Sequence, residues 1–227
     1  MKNSVILVAG GSGMRMGSVL PKQFLEIEGK ALIFYALEKF IAFDPSIEII
    51  LVLGNNYYNY WESARLKADF NFPVKLATGG KTRFHSVKNG IGLLEGDGLV
   101  GVHDAVRPLV SVATIGRVYA AAGEFGSAIP TIPLKESVRE IKSEKSRPLN
   151  RSEIRIVQTP QVFRSSVLRK SYETEYKDDF TDDASVVENA GFELQLVSGD
   201  EFNLKITTPE DLEIAKRLLT LQKQHPH

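Results

Sequence analysis

The fold is decided by the stretch SVILVAGGSGMRMG, residues 4–17. Its first part, residues 4–9, is a short apolar run that is typical of a strand buried in a parallel sheet. Its second part is rich in glycine, so the backbone can turn sharply and bring its N–H groups close to a ligand's phosphates. Arg15, and then Lys22, add positive charge to this loop. The stretch predicts either an anion-binding loop or a plain strand-to-helix connection.

Three further runs rich in Val, Ile and Leu occupy residues 47–53, 99–103 and 128–132, and segments with helical spacing separate them. Helices are predicted at residues 32–43, 57–68, 83–94 and 112–125, and a last helix is predicted to start at Pro209 with Thr208 as its N-cap. This alternation predicts an α/β fold, with one Rossmann-like domain over residues 1–227 and a mostly parallel sheet. Ligands bind such folds beyond the carboxyl ends of the strands.

Residues 136–155 break the alternation because they are dense in charge. Their only regular signals are residues 138–141 and 154–157. We interpret the segment as a hairpin-like β-arm that projects from the domain, and a solvated surface loop is the alternative.

The overall composition sets limits on partners and compartment. Lys plus Arg and Asp plus Glu both number 28, so no uniform field draws the chain to nucleic acid or to an anionic membrane. Cysteine is absent, which excludes disulfides and thiolate chemistry. The first apolar run is too short to span a membrane and does not have the form of a signal peptide. We therefore expect a cytoplasmic protein that binds neither nucleic acid nor membrane.

Two charged residues sit where ligands are expected. Asp104 follows the apolar run 99–103, and one carboxylate together with substrate phosphates is enough to hold Mg²⁺. The alternative is a structural pair between Asp104 and Arg107. Lys205 alternates with Leu204 and Ile206, so it points to the face opposite theirs, which is either solvent or a site.

Six motifs occur in the order typical of one family: residues 10–22, residues 21–25 (PKQFL), 103–108 (HDAVRP), 158–161 (QTPQ), 181–185 (TDDAS) and 203–212 (NLKITTPEDL). The chain resembles the 2-C-methyl-D-erythritol 4-phosphate cytidylyltransferases over nearly its whole length. That family belongs to the non-mevalonate isoprenoid pathway and has a nucleotidyltransferase domain. The resemblance implies that the chain transfers CMP from CTP to a small polyol phosphate, with Mg²⁺, and releases pyrophosphate.

The resemblance also implies roles for single residues. Arg15 and Lys22 would stabilise charge on the triphosphate, and Asp104 would hold Mg²⁺. The implied CTP-binding residues are Ala9, Gly10, Gly11, Gly13, Gly80, Lys81 and Ser86. The implied residues for the acceptor are Arg107, Arg151, Thr159, Thr181 and Lys205, of which Arg151 and Lys205 join Arg15 and Lys22 as catalytic residues.

The resemblance further implies a homodimer in which the arm of each chain reaches the partner's site. Ribitol-5-phosphate cytidylyltransferase is the rival family, since Val106 stands where alanine is common in the first family and the change is frequent in the second. A nucleotide-binding module without turnover is the non-enzymatic alternative, although a second phosphate pocket at Arg151 and Lys205 has no role in a simple sensor.

Overall fold

The centre of the fold is strand β1, Lys2–Val8, which pairs with a strand on each side. The computed structural model describes residues 1–9 and 21–224, with side chains to residue 221. The later strands are β2 Glu26–Ile27, β3 Lys30–Ala31, β4 Glu48–Leu53, β5 Lys75–Thr78, β6 Gly98–Asp104, β7 Ser127–Pro133, β8 Arg139–Lys142, β9 Lys145–Pro148, β10 Arg155–Val157, β11 Gln161–Arg164 and β12 Gln195–Ser198. The helices are α1 Leu32–Phe43, α2 Tyr58–Lys67, α3 Arg83–Ile91, α4 Val112–Phe125, α5 Ser165–Ser171, α6 Asp183–Asn189 and α7 Pro209–Gln224.

The main sheet is mixed, with a parallel majority. In the described part of the chain its order is β10, β7, β11, β6, β1, β4, β5, and β12 also pairs with β7. β1 is parallel to β4 and β6, β4 is parallel to β5, and β7 is parallel to β12. β11 is antiparallel to both β6 and β7, and β10 is antiparallel to β7. The predicted α/β class with a mostly parallel sheet is therefore confirmed.

Helices cover both faces of this sheet. Successive side chains of a strand point to opposite faces, so Val5 and Leu7 of β1 pack on one side with α1 and α4, while Ile6 packs on the other with α3. All three side chains are fully buried. A third cluster joins α7 to the start of α1 through Ile206, Leu32 and Leu219. Burial on both faces is the physical reason why β1 is apolar throughout its middle.

Local signals set the helix ends that return the chain to the sheet. The hydroxyl of Ser111 accepts a hydrogen bond from the Thr114 amide at 3.2 Å and caps the amino end of α4. Gly126 ends the same helix with φ of 93°, a conformation that favours glycine. Thr208 caps α7 as predicted, since its hydroxyl accepts from the Asp211 amide at 3.3 Å.

The charged segment 136–155 contains a two-stranded hairpin. β8 pairs with β9 in a separate two-stranded sheet, whereas β10 joins the main sheet beside β7. The two predicted regular segments, 138–141 and 154–157, thus correspond to β8 and β10, which lie in different sheets. Ile141 is 75% exposed, and nearly all other hairpin residues are also exposed. That the hairpin projects as an arm to a second chain stays a prediction.

No helix in the described residues is both long and apolar enough to cross a membrane. The segment around Lys205, which the sequence suggested as a short strand, belongs to no strand or helix in the structure.

Candidate active site

The carboxyl ends of the parallel strands meet at one edge of the sheet. Val8 at the end of β1 lies in register with Asp104 at the end of β6. The Ala9 amide donates to the Val52 carbonyl of β4 at 2.9 Å, and the Gly79 amide donates to the Leu53 carbonyl at 2.7 Å. Ala9, Asp104 and the turn after β5 therefore leave the sheet side by side.

The turn after β5 requires glycine at position 80. A Cβ there would stand 2.4 Å from the Cβ of His85, at the first turn of α3. The Gly80 amide donates to the Ser86 hydroxyl at 3.0 Å, and that hydroxyl donates to the Thr82 carbonyl at 3.0 Å. Ser86 is buried while Lys81 is exposed. The backbone of this turn is thus fixed closely against the helix.

Three cationic side chains of the described residues surround Asp104. Its Oδ2 lies 2.9 Å from Nζ of Lys205 and 3.4 Å from Nε of Arg107. Its Oδ1 lies 3.5 Å from Nε of Arg83. Burial alone would raise the pKa of the Asp104 carboxyl, but the three positive charges outweigh it and hold that pKa well below its usual range. The carboxylate is therefore ionised at neutral pH.

Lys22 joins the first part of the chain to the segment that follows Lys205. It begins a short 3₁₀ turn, and its ammonium donates to the Thr207 carbonyl at 2.5 Å. The next residue, Gln23, is buried and donates to the Ala9 carbonyl at 2.8 Å. Two lysines from opposite ends of the sequence thus share one edge of the sheet with Asp104.

A buried hydrogen-bond network supports Asp104 from below. Thr159 Oγ1 accepts from the Asp104 amide at 3.2 Å and lies 2.9 Å from Nδ1 of His103. Nε2 of His103 lies 3.3 Å from the Arg107 carbonyl, which can only accept, so we assign the proton to Nε2. Burial lowers the pKa of His103 to about 4 despite the nearby Asp104 charge. His103 is thus a neutral, hydrogen-bonded core residue.

Arg107 and Asn203 extend this network to the segment that carries Lys205. The Arg107 guanidinium donates to the Asn203 backbone carbonyl at 2.8 Å. The side-chain amide of Asn203, which is buried, donates from Nδ2 to the Thr159 carbonyl at 2.8 Å. The Ile206 amide donates to the Val106 carbonyl at 2.9 Å. These bonds align residues 203–206 with the loop after β6, which explains how Lys205 reaches Asp104.

A second buried ion pair stands behind Asp104. Arg83 donates from Nη1 and Nη2 to the two carboxylate oxygens of Asp183, at 2.8 and 2.6 Å. Burial by itself lowers the pKa of Arg83, yet the charges of Asp183 and Asp104 outweigh it and raise that pKa. Sequence reasoning did not single out either residue of this pair.

The sequence matches a known protein family over most of its length. The family model described as 2-C-methyl-D-erythritol 4-phosphate cytidylyltransferase matches residues 4–221. The chain belongs to this family.

Relatives agree with this membership over the full length. The chain is 48% identical over 219 residues to the 2-C-methyl-D-erythritol 4-phosphate cytidylyltransferase of Phocaeicola vulgatus. The aligned region covers 96% of this chain and 100% of the relative. The chain is also 46% identical over 219 residues to the protein of the same name from Bacteroides thetaiotaomicron, with the same coverage. The structure of 4-diphosphocytidyl-2C-methyl-D-erythritol synthase from Anaerococcus prevotii superposes with a TM-score of 0.82 at 26% identity, covering 96% of this chain and 98% of that chain.

The cluster around Asp104 brings together some of the residues that the sequence suggested. Asp104, Lys205, Arg107, Thr159 and Lys22 form one connected cluster, to which the structure adds Arg83. The structural pair of Asp104 and Arg107 also exists, so it accompanies the other contacts of Asp104. Gly10, Gly11, Gly13 and Arg15 lie outside the described residues.

Two predicted acceptor residues lie outside the cluster around Asp104. Arg151 is exposed, and its guanidinium donates to the Lys135 carbonyl of its own chain at 2.6 Å. Thr181 is exposed and directly precedes Asp182, the N-cap of α6. Their assignment to the acceptor stays a prediction.

Few of the described side chains near Asp104 could act as ligands to a metal ion. In the part of the chain that the structure describes, no three His, Cys, Asp or Glu side chains form a group that could hold a metal ion. The single carboxylate of Asp104 fits a hard cation whose remaining ligands are water and substrate phosphate, which is how Mg²⁺ is commonly held in phosphoryl-transfer sites.

Proposed function

We propose that the chain transfers the cytidylyl group of CTP to 2-C-methyl-D-erythritol 4-phosphate, giving 4-diphosphocytidyl-2-C-methylerythritol and pyrophosphate, in isoprenoid precursor biosynthesis. The observation that carries the proposal is the contact between Lys205 and Asp104 at the carboxyl edge of the sheet. It joins a cation suited to phosphate with a carboxylate suited to a metal ion, within a chain that matches the family over residues 4–221.

The reaction needs no general base. A phosphate monoester has its second pKa near 6, so at neutral pH the acceptor is largely a dianion. One of its oxygens attacks the α-phosphorus of CTP, a new P–O bond forms, and the bond to the β-phosphate oxygen breaks as pyrophosphate leaves. The neutral, hydrogen-bonded state of His103 agrees with such chemistry.

Catalysis then depends on positioning and on compensation of charge. The residue after Lys22, Gln23, donates to the carbonyl of Ala9, where the glycine-rich sequence begins. We therefore assign Lys22, with Arg15, to the triphosphate. Lys205 and Arg107 face Oδ2 of Asp104, and we assign them to the acceptor's phosphate. Backbone groups at Ala9 and Gly80, together with Lys81 and Ser86, would hold the cytidine.

Asp104 would hold Mg²⁺, which when bound neutralises phosphate charge in the transition state. The lowered pKa of Asp104 keeps this carboxylate available as a ligand at neutral pH.

We also infer a cytoplasmic homodimer. The hairpin β8–β9 has little apolar surface to bury on its own domain, so docking on a second copy is a reasonable way to order it. Arg151 would then serve the partner's site together with Thr181 and Thr159, as the family resemblance implies.

The deciding experiment presents CTP and MgCl₂ with methylerythritol phosphate or with ribitol phosphate in separate reactions. Pyrophosphate release and ³¹P NMR of the diphosphate product are followed, and omission of acceptor is the control. We expect product mainly with methylerythritol phosphate. Preference for ribitol phosphate would move the chain to the rival acceptor, and CTP binding without pyrophosphate release from either acceptor would favour a non-catalytic module.

A further inference from the structure

Arg83 lies between two buried carboxylates that belong to different parts of the fold. Its Nη1 and Nη2 atoms bind both oxygens of Asp183 at the start of α6, and its Nε lies 3.5 Å from Oδ1 of Asp104 at the end of β6. The Asp183 side chain has no exposed surface, and the Arg83 side chain is 28% exposed. The guanidinium therefore links the site's carboxylate to a fixed anchor.

The anchor is itself held on several sides. The Tyr172 hydroxyl donates to Oδ1 of Asp183 at 2.7 Å. Gln161 on β11 donates to Asp182 at 2.8 Å and accepts from the Ala184 amide at 2.9 Å. Asp183 thus cannot shift without disturbing α6 and the sheet, and the two-point bond fixes the plane of the guanidinium.

The two oxygens of Asp104 face different cationic side chains. Lys205 and Arg107 contact Oδ2, whereas Arg83 lies on the side of Oδ1. Lys205 is 44% exposed and has a flexible stem, so it can turn to a substrate phosphate. Arg83 is bound at its far end to Asp183, which ties it to the start of α6.

We propose that Arg83 is a positioning residue for cytidylyl transfer: held by Asp183, it fixes the orientation of the Asp104 carboxylate toward the metal and substrate phosphates. The inference rests on the proposed function, in which Asp104 is the metal ligand. Through the same bond, Arg83 also fixes the start of α6, next to Thr181.

The test is Arg83→Lys, which keeps the positive charge but cannot bind both oxygens of Asp183 and reach Asp104. We expect the Mg²⁺ concentration for half-maximal activity to rise roughly tenfold or more, the usual cost of losing a group that orients a metal ligand. Asp183→Asn, which weakens the anchor while Arg83 stays, should change the Mg²⁺ requirement in the same direction and covers the case in which Arg83→Lys does not fold.

Tyr172→Phe is the matched control, because it removes a hydrogen bond to Asp183 and leaves the guanidinium between both carboxylates. Thermal midpoints are measured for all variants. A purely structural role would make Tyr172→Phe raise the Mg²⁺ requirement in proportion to its loss of thermal stability, and this result would overturn the proposal. A wild-type Mg²⁺ requirement in folded Arg83→Lys would overturn it as well.

A double-mutant cycle tests whether Arg83 acts through Asp104. In the Asp104→Asn background, Arg83→Lys should change the Mg²⁺ requirement by less than about twofold, because the group that it orients is already altered. Full additivity of the two changes would refute the mechanism.

A readout without turnover separates this inference from the proposed function. Calorimetric titration of CTP, with and without MgCl₂ and in the absence of acceptor, should show that Mg²⁺ tightens binding to the wild type and far less to Arg83→Lys. Equal tightening in both proteins would refute the role of Arg83. A wild type that binds CTP with Mg²⁺ but yields no pyrophosphate would refute the acceptor reaction, and the calorimetric comparison would still decide on Arg83.

Discussion

The ammonium of Lys205 lies 2.9 Å from Oδ2 of Asp104, so two residues with separate proposed roles neutralise each other in this structure. The lysine is 44% exposed and the aspartate side chain 9%, so the mobile partner is the lysine. A phosphate that attracts Lys205 would leave Oδ2 of Asp104 with Arg107 as its remaining cationic neighbour among the described residues. In the proposed function, the pair would therefore connect the acceptor's phosphate with the metal.

Lys205→Ala should raise the Michaelis constant for the polyol phosphate far more than that for CTP, because the lysine is assigned to the acceptor. Steady-state kinetics with each substrate varied in turn provide the measurement. Lys216→Ala is a control, since that lysine pairs with Glu213 on the surface of α7. If the constant for CTP rises instead, the two phosphate pockets are exchanged or merged.

Asp104→Asn should raise the Mg²⁺ concentration needed for activity, since it removes the charged ligand while keeping its shape. A magnesium titration of initial rates measures the effect. Asp44→Asn is the matched control: Asp44 also has a lowered pKa, but it precedes β4 at the opposite edge of the sheet, where its Oδ1 accepts from the Ser46 amide at 2.8 Å. An unchanged titration for Asp104→Asn would assign Asp104 to structure alone.

Lys22→Ala should lower turnover more than it weakens CTP binding, because the charge that it compensates develops mainly in the transition state. A loss of roughly one hundredfold is expected for a preorganised charge contact. Arg15→Ala should behave alike. Lys30→Ala, which breaks a surface pair with Glu38 at 2.7 Å, should leave turnover near the wild-type value. Wild-type turnover in Lys22→Ala would remove that lysine from the catalytic set.

Gly80→Ala should weaken CTP binding, because the new Cβ would stand 2.4 Å from His85 and push the turn away from α3. Fluorescence or calorimetric titration of CTP measures the change. Gly116→Ala is the control, since its Cβ would meet its nearest atom, on Phe43, at 3.9 Å. Replacing that helical glycine should stabilise the fold by about 0.5–1 kcal/mol. Normal CTP affinity in Gly80→Ala would show that this turn does not contact the nucleotide.

Arg151 is expected to act in the site of a second chain. Chains that carry Lys22→Ala are mixed with chains that carry Arg151→Ala, once each homodimer proves nearly inactive. A mixed dimer then contains one doubly damaged site and one intact site, so activity should return. Proven subunit exchange without any recovery would place Arg151 in the site of its own chain.

Much of the fold could be predicted from the sequence because its strongest signals are local. The limits of α1 and α4 were predicted to the residue, since both helices have an apolar face and Ser111 and Gly126 mark the ends of α4. The short strands β5, β11 and β12 were missed, because four residues with polar members carry no clear period. The antiparallel place of β11 between β6 and β7 depends on tertiary pairing, which no local pattern encodes.

The residues of the candidate site also fall into those that the sequence could indicate and those that only the tertiary structure reveals. Asp104, Lys22 and Lys205 stand in recognisable motifs, so they could be named from the sequence. Arg83 could not, because its importance comes from Asp183, a contact between residues 100 positions apart. Nor could the sequence show that the Thr159 hydroxyl supports the Asp104 amide from within the core.

The segment around Lys205 completes the candidate site from a position in the sequence that follows every strand of the described residues. Hydrogen bonds join Asn203 to Thr159, Ile206 to Val106 and Thr207 to Lys22. These contacts at the edge of the sheet can form only after residues 203–207 have been synthesised. On the ribosome, the sheet and most of its helices can form while the active edge is still unfinished. A growing chain thus completes this candidate site only after residues 203–207 have been added.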